Sequence, residues 1–236
     1  AVTAVRARDG VFVAVTARPL RDAVGIARRL GVDGLVCSGG AVVADPLTGR
    51  VLESTLLRPG VVDRIVAVLR AGVPGARVGV DYLDRCDLDA GFTLTWSGAA
   101  DTVHPGPAPA ATGPAVKVIV QTERGDAAEA ARTVLAGSGL PVTVGVPCSE
   151  FAEVLPHGVD KAAHVARLAA AMPRPPATVA FGDMPSDLPM LRWADTAVAV
   201  ANAHPAVLSA ADEVTGANHE DGVAAYLERL LATSAA

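Results

Sequence analysis

No run of 18 uninterrupted apolar residues occurs in this 236-residue chain, so no segment has the continuous length of a membrane-spanning helix. The first 30 residues lack the apolar core of a signal peptide and carry Arg6, Arg8, Asp9, Arg18, Arg21 and Asp22 instead. The cytoplasm is the expected compartment. Cysteine is scarce: Cys37, Cys86 and Cys148 are odd in number and widely spaced, with no CxxC pair and no nearby histidine at metal spacing. Neither a disulfide framework nor a zinc site follows, and the three read as reduced, mostly buried thiols. A basic surplus is also missing. With a net charge of -5 and a pI near 5.5, the chain has little with which to neutralise nucleic-acid phosphates, so no nucleic acid and no membrane is expected as a partner. No internal repeat or block of like charge appears, and no G-x-G-x-x-G follows a predicted strand, which disfavours a nucleotide-binding oxidoreductase.

What is present is apolar residue in quantity, 51% of the chain, enough for one large or two modest domains. Short β-branched runs alternate with longer Ala/Leu/Arg stretches of helical period, the pattern of a parallel sheet layered with helices, so the expected class is α/β. Val11–Val15, Gly34–Cys37, Thr178–Phe181 and Ala197–Val200 read as buried strands. They stop at Thr16, Ser38, Asp183 and Asn202, so four apolar runs each end in a small polar residue. Helices are predicted over Pro19–Leu30, Asp160–Met172, Pro185–Ala194, Pro205–Ala211 and Asp221–Leu231. From about Asp45 to Pro156 the texture changes. Strands are predicted at Val51–Ser54, Arg77–Tyr82, Phe92–Trp96 and Lys117–Gln121, with helices near Val61–Leu69 and Ala127–Ala136. The Pro/Gly-rich stretch His104–Pro114 reads as a mobile surface loop. The expected division is therefore 1–44, an inserted α/β domain over 45–156, and 157–236.

The most informative run is Ala180-Phe181-Gly182-Asp183-Met184-Pro185-Ser186-Asp187, which sets two carboxylates where a buried strand hands over to a helix. In open α/β sheets the ligand crevice lies beyond the carboxyl ends of the strands, so acids there suit a metal ion, or a phosphate held through one. A turn residue at Asp183 and a helix-first-turn acid at Asp187 explain the same letters. Lys161 opposes a helix macrodipole and needs an anion or solvent beside it, while a solvated lysine behind an Asp160 cap is the plainer account. Thr16 and Asn202 also suit turn or cap hydrogen bonds.

In order and spacing, Val15-Thr16-Ala17-Arg18-Pro19, Cys37-Ser38-Gly39-Gly40-Ala41, Asp160-Lys161, Gly182–Asp187, Val200–Pro205 and Asn218–Val223 resemble the haloacid dehalogenase (HAD) superfamily phosphatases of the Cof-like, type IIB branch. The resemblance implies a Rossmann-like core with a large α/β cap inserted after the third core strand. It also implies Mg2+-dependent hydrolysis of a small phosphorylated metabolite, a sugar phosphate by class, through an aspartyl-phosphate intermediate. By the same resemblance Thr16 hydrogen-bonds a phosphoryl oxygen, Lys161 balances the charges of nucleophile and phosphate, Asp183 binds the metal and Asp187 supports that site from behind. Arg18, Ser38, Gly39 and Asn202 are the implied phosphate- and substrate-binding positions. Tyr82, Arg85, Trp96 and Glu123 are cap positions that either face the crevice or serve as ordinary surface and core.

Several positions depart from the family. Ser186 stands where Asn is usual, Ala17 where Gly is usual and Gly39 where Asn is frequent. The largest departure is the first strand, which in the family ends in an Asp-x-Asp motif supplying nucleophile and general acid/base. Only fifteen residues precede Thr16, and Ala1–Arg8 reads as the end of a helix, which leaves no room for a βαβ unit. Asp9 precedes a strand, and Asp87-Leu88-Asp89 follows the polar Asp84-Arg85-Cys86, so neither reads as that motif. The family places the absent strand between those ending at Thr16 and Asp183. Two inner edges are therefore expected to lie open, the core to be loosened or rearranged and this chain to be inactive. The alternative expectation is a catalytically dead HAD fold serving as a binding or regulatory module.

Overall fold

A computed structural model describes residues 1–94, 101–172 and 177–233. Its order begins with α1 (Val2–Arg6), β1 (Val13–Val15), α2 (Leu20–Leu30), β2 (Gly34–Cys37), β3 (Val42–Ala44), β4 (Val51–Ser54), α3 (Pro59–Gly72), β5 (Arg77–Asp81), β6 (Cys86–Leu88) and β7 (Asp101–Val103). It continues with β8 (Lys117–Gln121), α4 (Ala127–Ala136), β9 (Val142–Gly145), β10 (Ala152–Pro156), α5 (Lys161–Ala170), β11 (Val179–Gly182), α6 (Leu188–Trp193), β12 (Thr196–Val200), α7 (Pro205–Leu208), β13 (Glu213–Thr215) and α8 (Gly222–Thr233). The class is α/β, as the sequence indicates.

Three sheets organise the described residues. One runs β1-β2-β3-β4, one β7-β6-β5-β8-β10-β9, and one β11-β12-β13. The first begins with a parallel β1/β2 pair and the third is wholly parallel, whereas β5, β8, β10 and β9 pair antiparallel. The connections dictate this. β1 and β2 are joined by the full helix α2, and β11 and β12 by α6, the crossovers that parallel pairing requires. The six-stranded sheet packs on α3 and α4 through Val62, Ile65 and Leu69 against Val78, Val118, Val120 and Val154, all buried. A separate cluster around Ala23, Ala27, Leu35, Cys37 and Val42 includes Leu155, so the two layers share a seam.

Two sequence expectations need correction. Phe92–Leu94 forms no strand: Phe92 N closes a turn onto Asp89 O, and Thr93 bonds the Gln121 side chain instead of a ladder. The rest of that predicted strand, with Trp96, lies outside the described residues. His104–Pro114 is irregular but tied down. Ala108 is buried with its N–H on Asp89, Ala111 N–H reaches Asp63, and Gly106 O accepts from Ala90 N. Side-chain carboxylates replace the ladder partners that the Pro/Gly content denies this stretch.

Candidate active site

The carboxyl ends of β1, β2, β11 and β12 and the N-terminus of α5 are linked by a chain of contacts. At the end of β1, Thr16 Oγ1 accepts from Arg18 N at 3.1 Å, closing the turn and leaving its own O–H as a donor. That turn is stitched to the end of β2: Gly39 N donates to Thr16 O at 3.1 Å and Ser38 N to Arg18 O at 2.8 Å. Ser38 is buried with φ 54°, so the chain reverses abruptly here. Gly40, at φ 105°, lies against the backbone of Asp160; a Cβ there would be driven into the Asp160 carbonyl oxygen. Only glycine lets the Ser38 turn abut the start of α5.

Asp160 caps α5, its carboxylate accepting from Ala162 N and Ala163 N, which orients the next residue. Lys161 is buried and its Nζ meets Asp187 Oδ1 at 2.6 Å. The solvated-lysine account of Lys161 therefore fails, because this ammonium has an anion and almost no water. The other Asp187 oxygen accepts from Asp183 N and Met184 N, both at 3.0 Å. Gly182 allows this folding-under, since a Cβ there would lie 2.7 Å from Asp187 Cβ. Asp183 O in turn accepts from His204 N at 2.8 Å, joining the tips of β11 and β12.

The two acids are electrostatically unlike. Burial alone would raise the Asp187 carboxyl, but the Lys161 charge and hydrogen bond and two backbone N–H groups outweigh it, and the group titrates below the ordinary range. Asp183 reaches solvent at its tip, yet the protein packed behind it and the neighbouring Asp187 charge push it above that range. Asp187 is thus a fixed anion already committed to the protein, and Asp183 is the carboxylate that gains from a cation.

Among the described residues no group of three His, Cys, Asp or Glu side chains could hold a metal ion by itself. A hard divalent cation held by one carboxylate, with water and a phosphate completing its shell, is the kind of site that Asp183 fits. Thr16, Ser38, Gly39, Lys161, Asp183 and Asp187 are therefore brought together. Asn202 exchanges hydrogen bonds with Asn218, through Nδ2 to Oδ1 at 3.2 Å and Asn218 N to Oδ1 at 3.0 Å, so it ties down the Asn218–Glu220 turn. Arg18 shares the site's turn through its backbone. Tyr82 stacks under Arg85, 4.1 Å from ring centroid to guanidinium carbon, and Glu123 pairs with Arg77 on the surface. Asp87 binds Arg85 and His104, and Asp89 holds Val78 N, Ala108 N and Arg70, so that motif is structural.

Sequence reasoning missed the polar seam beneath the six-stranded sheet. Lys117 on β8 and Glu153 on β10 are each 1% exposed and pair at 2.9 Å, and Lys117 Nζ also donates to Ala17 O at 2.8 Å, beside Thr16. Burial works against the Lys117 charge, but Glu153 and Asp81 overcome it and hold the ammonium firmly protonated. Arg21 of α2 reaches Asp81 at 2.8 Å and Asp101 at 2.9 Å. The available signal was a lone lysine inside the apolar run Val116–Val120. Cys37, at the end of β2, is pushed up to about 12 by burial and is an inert thiol.

Residues 112–227 match the family described as haloacid dehalogenase-like hydrolase. A 79-residue segment is 39% identical to the putative phosphatase YkrA of Bacillus subtilis (strain 168), covering 33% of this chain and 31% of that protein, so the match spans about a third of the relative's length. Among solved structures, SMU.1108c from Streptococcus mutans UA159 superposes with a TM-score of 0.79 at 19% identity, over 97% of this chain and 88% of that one. A haloacid dehalogenase-like hydrolase from B. subtilis gives 0.78 at 20% identity, over 97% and 91%. The HAD subclass IIB sugar phosphatase BT4131 gives 0.76 at 18%, over 97% and 88%. The fold of these solved structures is thus shared along nearly the whole chain, and residues 112–227, just under half of it, match the haloacid dehalogenase-like hydrolase family.

Proposed function

We propose that this chain carries the phosphoryl-binding half of a Mg2+-dependent phosphatase acting on a small phosphorylated metabolite, a sugar phosphate by class, through an aspartyl-phosphate intermediate. The observation that carries the reading is the Lys161–Asp187–Asp183 constellation at the strand tips. Two carboxylates against one ammonium leave the pocket one charge negative, which by itself repels a phosphate dianion. A Mg2+ held by Asp183 would reverse that sign and polarise the phosphoryl oxygens. Thr16 O–H and the backbone N–H groups of the Ser38–Gly40 turn are the neutral donors for the remaining oxygens, and Lys161 balances the charge of nucleophile and phosphate. Arg18 and Asn202 lie on the rims of the same loops and are assigned to substrate contact.

The six-stranded layer, within the inserted domain proposed over residues 45–156 between core segments 1–44 and 157–236, is the roof that selects the leaving group. Among the described residues no carboxylate ends a strand between β1 and β11, where the family's nucleophile belongs. Without that nucleophile, turnover by this chain is expected to fall about a millionfold. The test is a version extended by an apolar strand ending in Asp-x-Asp, assayed with p-nitrophenyl phosphate. Mg2+-dependent hydrolysis that Asp183→Ala abolishes supports the reading, and inactivity of the folded, extended protein rejects it.

A further inference from the structure

The backbone of Thr16 is held on both sides: its N–H donates to Val36 O at 2.9 Å and its C=O accepts from Gly39 N at 3.1 Å. What these bonds leave free is the side-chain torsion, for which threonine has three staggered settings. The Arg18 N–H engages that side chain, donating to Thr16 Oγ1 at 3.1 Å. This N–H belongs to the peptide unit joining Ala17 to Arg18, whose carbonyl oxygen is Ala17 O. A peptide unit is planar and trans, so its N–H and C=O point in opposite directions. Whatever fixes Ala17 O therefore fixes the direction of the Arg18 N–H.

Ala17 O is gripped from a distant element. Lys117 Nζ on β8, 100 positions along the chain, donates to it at 2.8 Å. Lys117 is 1% exposed, and Glu153 Oε2 on β10 accepts from the same ammonium at 2.9 Å. Asp81 stands across from Lys117 on β5 and bonds Arg21 of α2 at 2.8 Å, so the chain is tied to the six-stranded sheet again just beyond the turn. Gly39, at φ 69°, leaves room for Glu153, since a Cβ there would lie 2.7 Å from Glu153 Oε1. A positive charge on Ala17 O also polarises the Ala17–Arg18 peptide and strengthens its N–H as a donor. With Oγ1 accepting that bond, Thr16 keeps its own hydroxyl proton to give.

We propose that Lys117 is a positioning residue for Thr16: from β8 its ammonium, kept in place by Glu153, orients the Ala17–Arg18 peptide so that the Thr16 side chain holds one rotamer with its O–H directed at a phosphoryl oxygen. The phosphoryl half of this inference rests on the phosphatase reading, whereas the link from Lys117 to the Thr16 torsion rests on the contacts alone. The six-stranded sheet, besides selecting the leaving group, would then aim a donor at the group being transferred.

The experiment uses the full chain, first without ligand. Lys117→Met with Glu153→Leu removes both buried charges together, which spares most of the stability. A purely structural ion pair predicts an intact turn in this double variant. Expected instead is that Thr16 three-bond couplings, which in the wild type read one rotamer, average over several. Amide hydrogen exchange at Arg18 should quicken at least about tenfold, while Val118, Val120 and Val154 stay protected. If that pair misfolds, Lys117→Gln with Glu153→Gln keeps a hydrogen bond within the pair but stops one bond short of Ala17 O, and should give the same averaging. Inorganic phosphate with Mg2+ is then titrated calorimetrically into wild type and variant, and the variant should bind at least about tenfold more weakly. The proposal is overturned by an unchanged Thr16 rotamer and Arg18 amide in a folded variant, by exchange that quickens equally along β8 and β10, or by equal, measurable phosphate affinities. Rotamer averaging in the variant without phosphate binding to the wild type supports the link from Lys117 to Thr16 and rejects the phosphatase reading.

Discussion

Asp187→Asn tests the site's electrostatic reading with almost no change in volume. The carboxylate is 4% exposed and serves three donors, Lys161 Nζ at 2.6 Å and the Asp183 and Met184 N–H groups at 3.0 Å. Replacing one oxygen by NH2 leaves the Lys161 ammonium buried without its anion. Breaking one side of such a pair costs about 3 to 5 kcal/mol, a large part of a total stability of about 5 to 15 kcal/mol. With a urea slope of about 3 kcal/mol/M, the midpoint should fall by roughly 1 to 1.7 M. Adding Lys161→Met removes the stranded charge and should recover more than half of the loss, a coupling that a double-mutant cycle isolates. The sign with pH follows from the lowered Asp187 pKa. Its contribution is fully present above the unfolded carboxyl value near 3.9 and is lost as pH falls through the lower folded value. The wild-type and Asp187→Asn curves should therefore converge on acidification below about pH 4. A stability loss under about 1 kcal/mol, or a loss that Lys161→Met deepens, would refute the claim that Asp187 neutralises Lys161.

Asp183 predicts the opposite pH behaviour in a binding assay: because its carboxyl is raised, Mg2+ affinity by calorimetry should decline as pH falls while still above the ordinary carboxylate value, and Asp183→Asn should remove both affinity and pH dependence. Gly40→Ala should destabilise the fold by at least about 2 kcal/mol in a urea titration, since the new methyl group meets the Asp160 backbone at a positive φ. Lys117→Met alone should cost about 3 to 5 kcal/mol, while Lys117→Met with Glu153→Leu should cost far less. Equal losses in the single and double variants would show that the pair is not electrostatically coupled.

Gly34–Cys37, Val51–Ser54, Lys117–Gln121 and Ala127–Ala136 stand where pattern alone put them, because apolar runs bounded by turn residues determine local structure without distant help. β10 was not legible: Glu153 and Pro156 break its apolar run, and the partner that neutralises Glu153 lies on β8. The Asp183–Asp187 turn was legible for the reverse reason, since its hydrogen bonds close within five consecutive residues. Lys161 became interpretable only with its partner 26 positions away. The tethering of His104–Pro114 likewise depends on Asp63 and Asp89, which no local rule connects to it.

Lys117 and Lys161 are the only two lysines in the sequence, the other eighteen basic residues being arginine, and both ammonium groups are shut away in ion pairs. Amine-directed acylating reagents should therefore find almost no side chain to modify in the folded protein, apart from the chain's own amino terminus. Each lysine reports on a different place, one on the seam beneath the six-stranded sheet and the other on the Asp183–Asp187 turn. Mass-shift footprinting with such a reagent would thus reveal which of the two loosens first under stress.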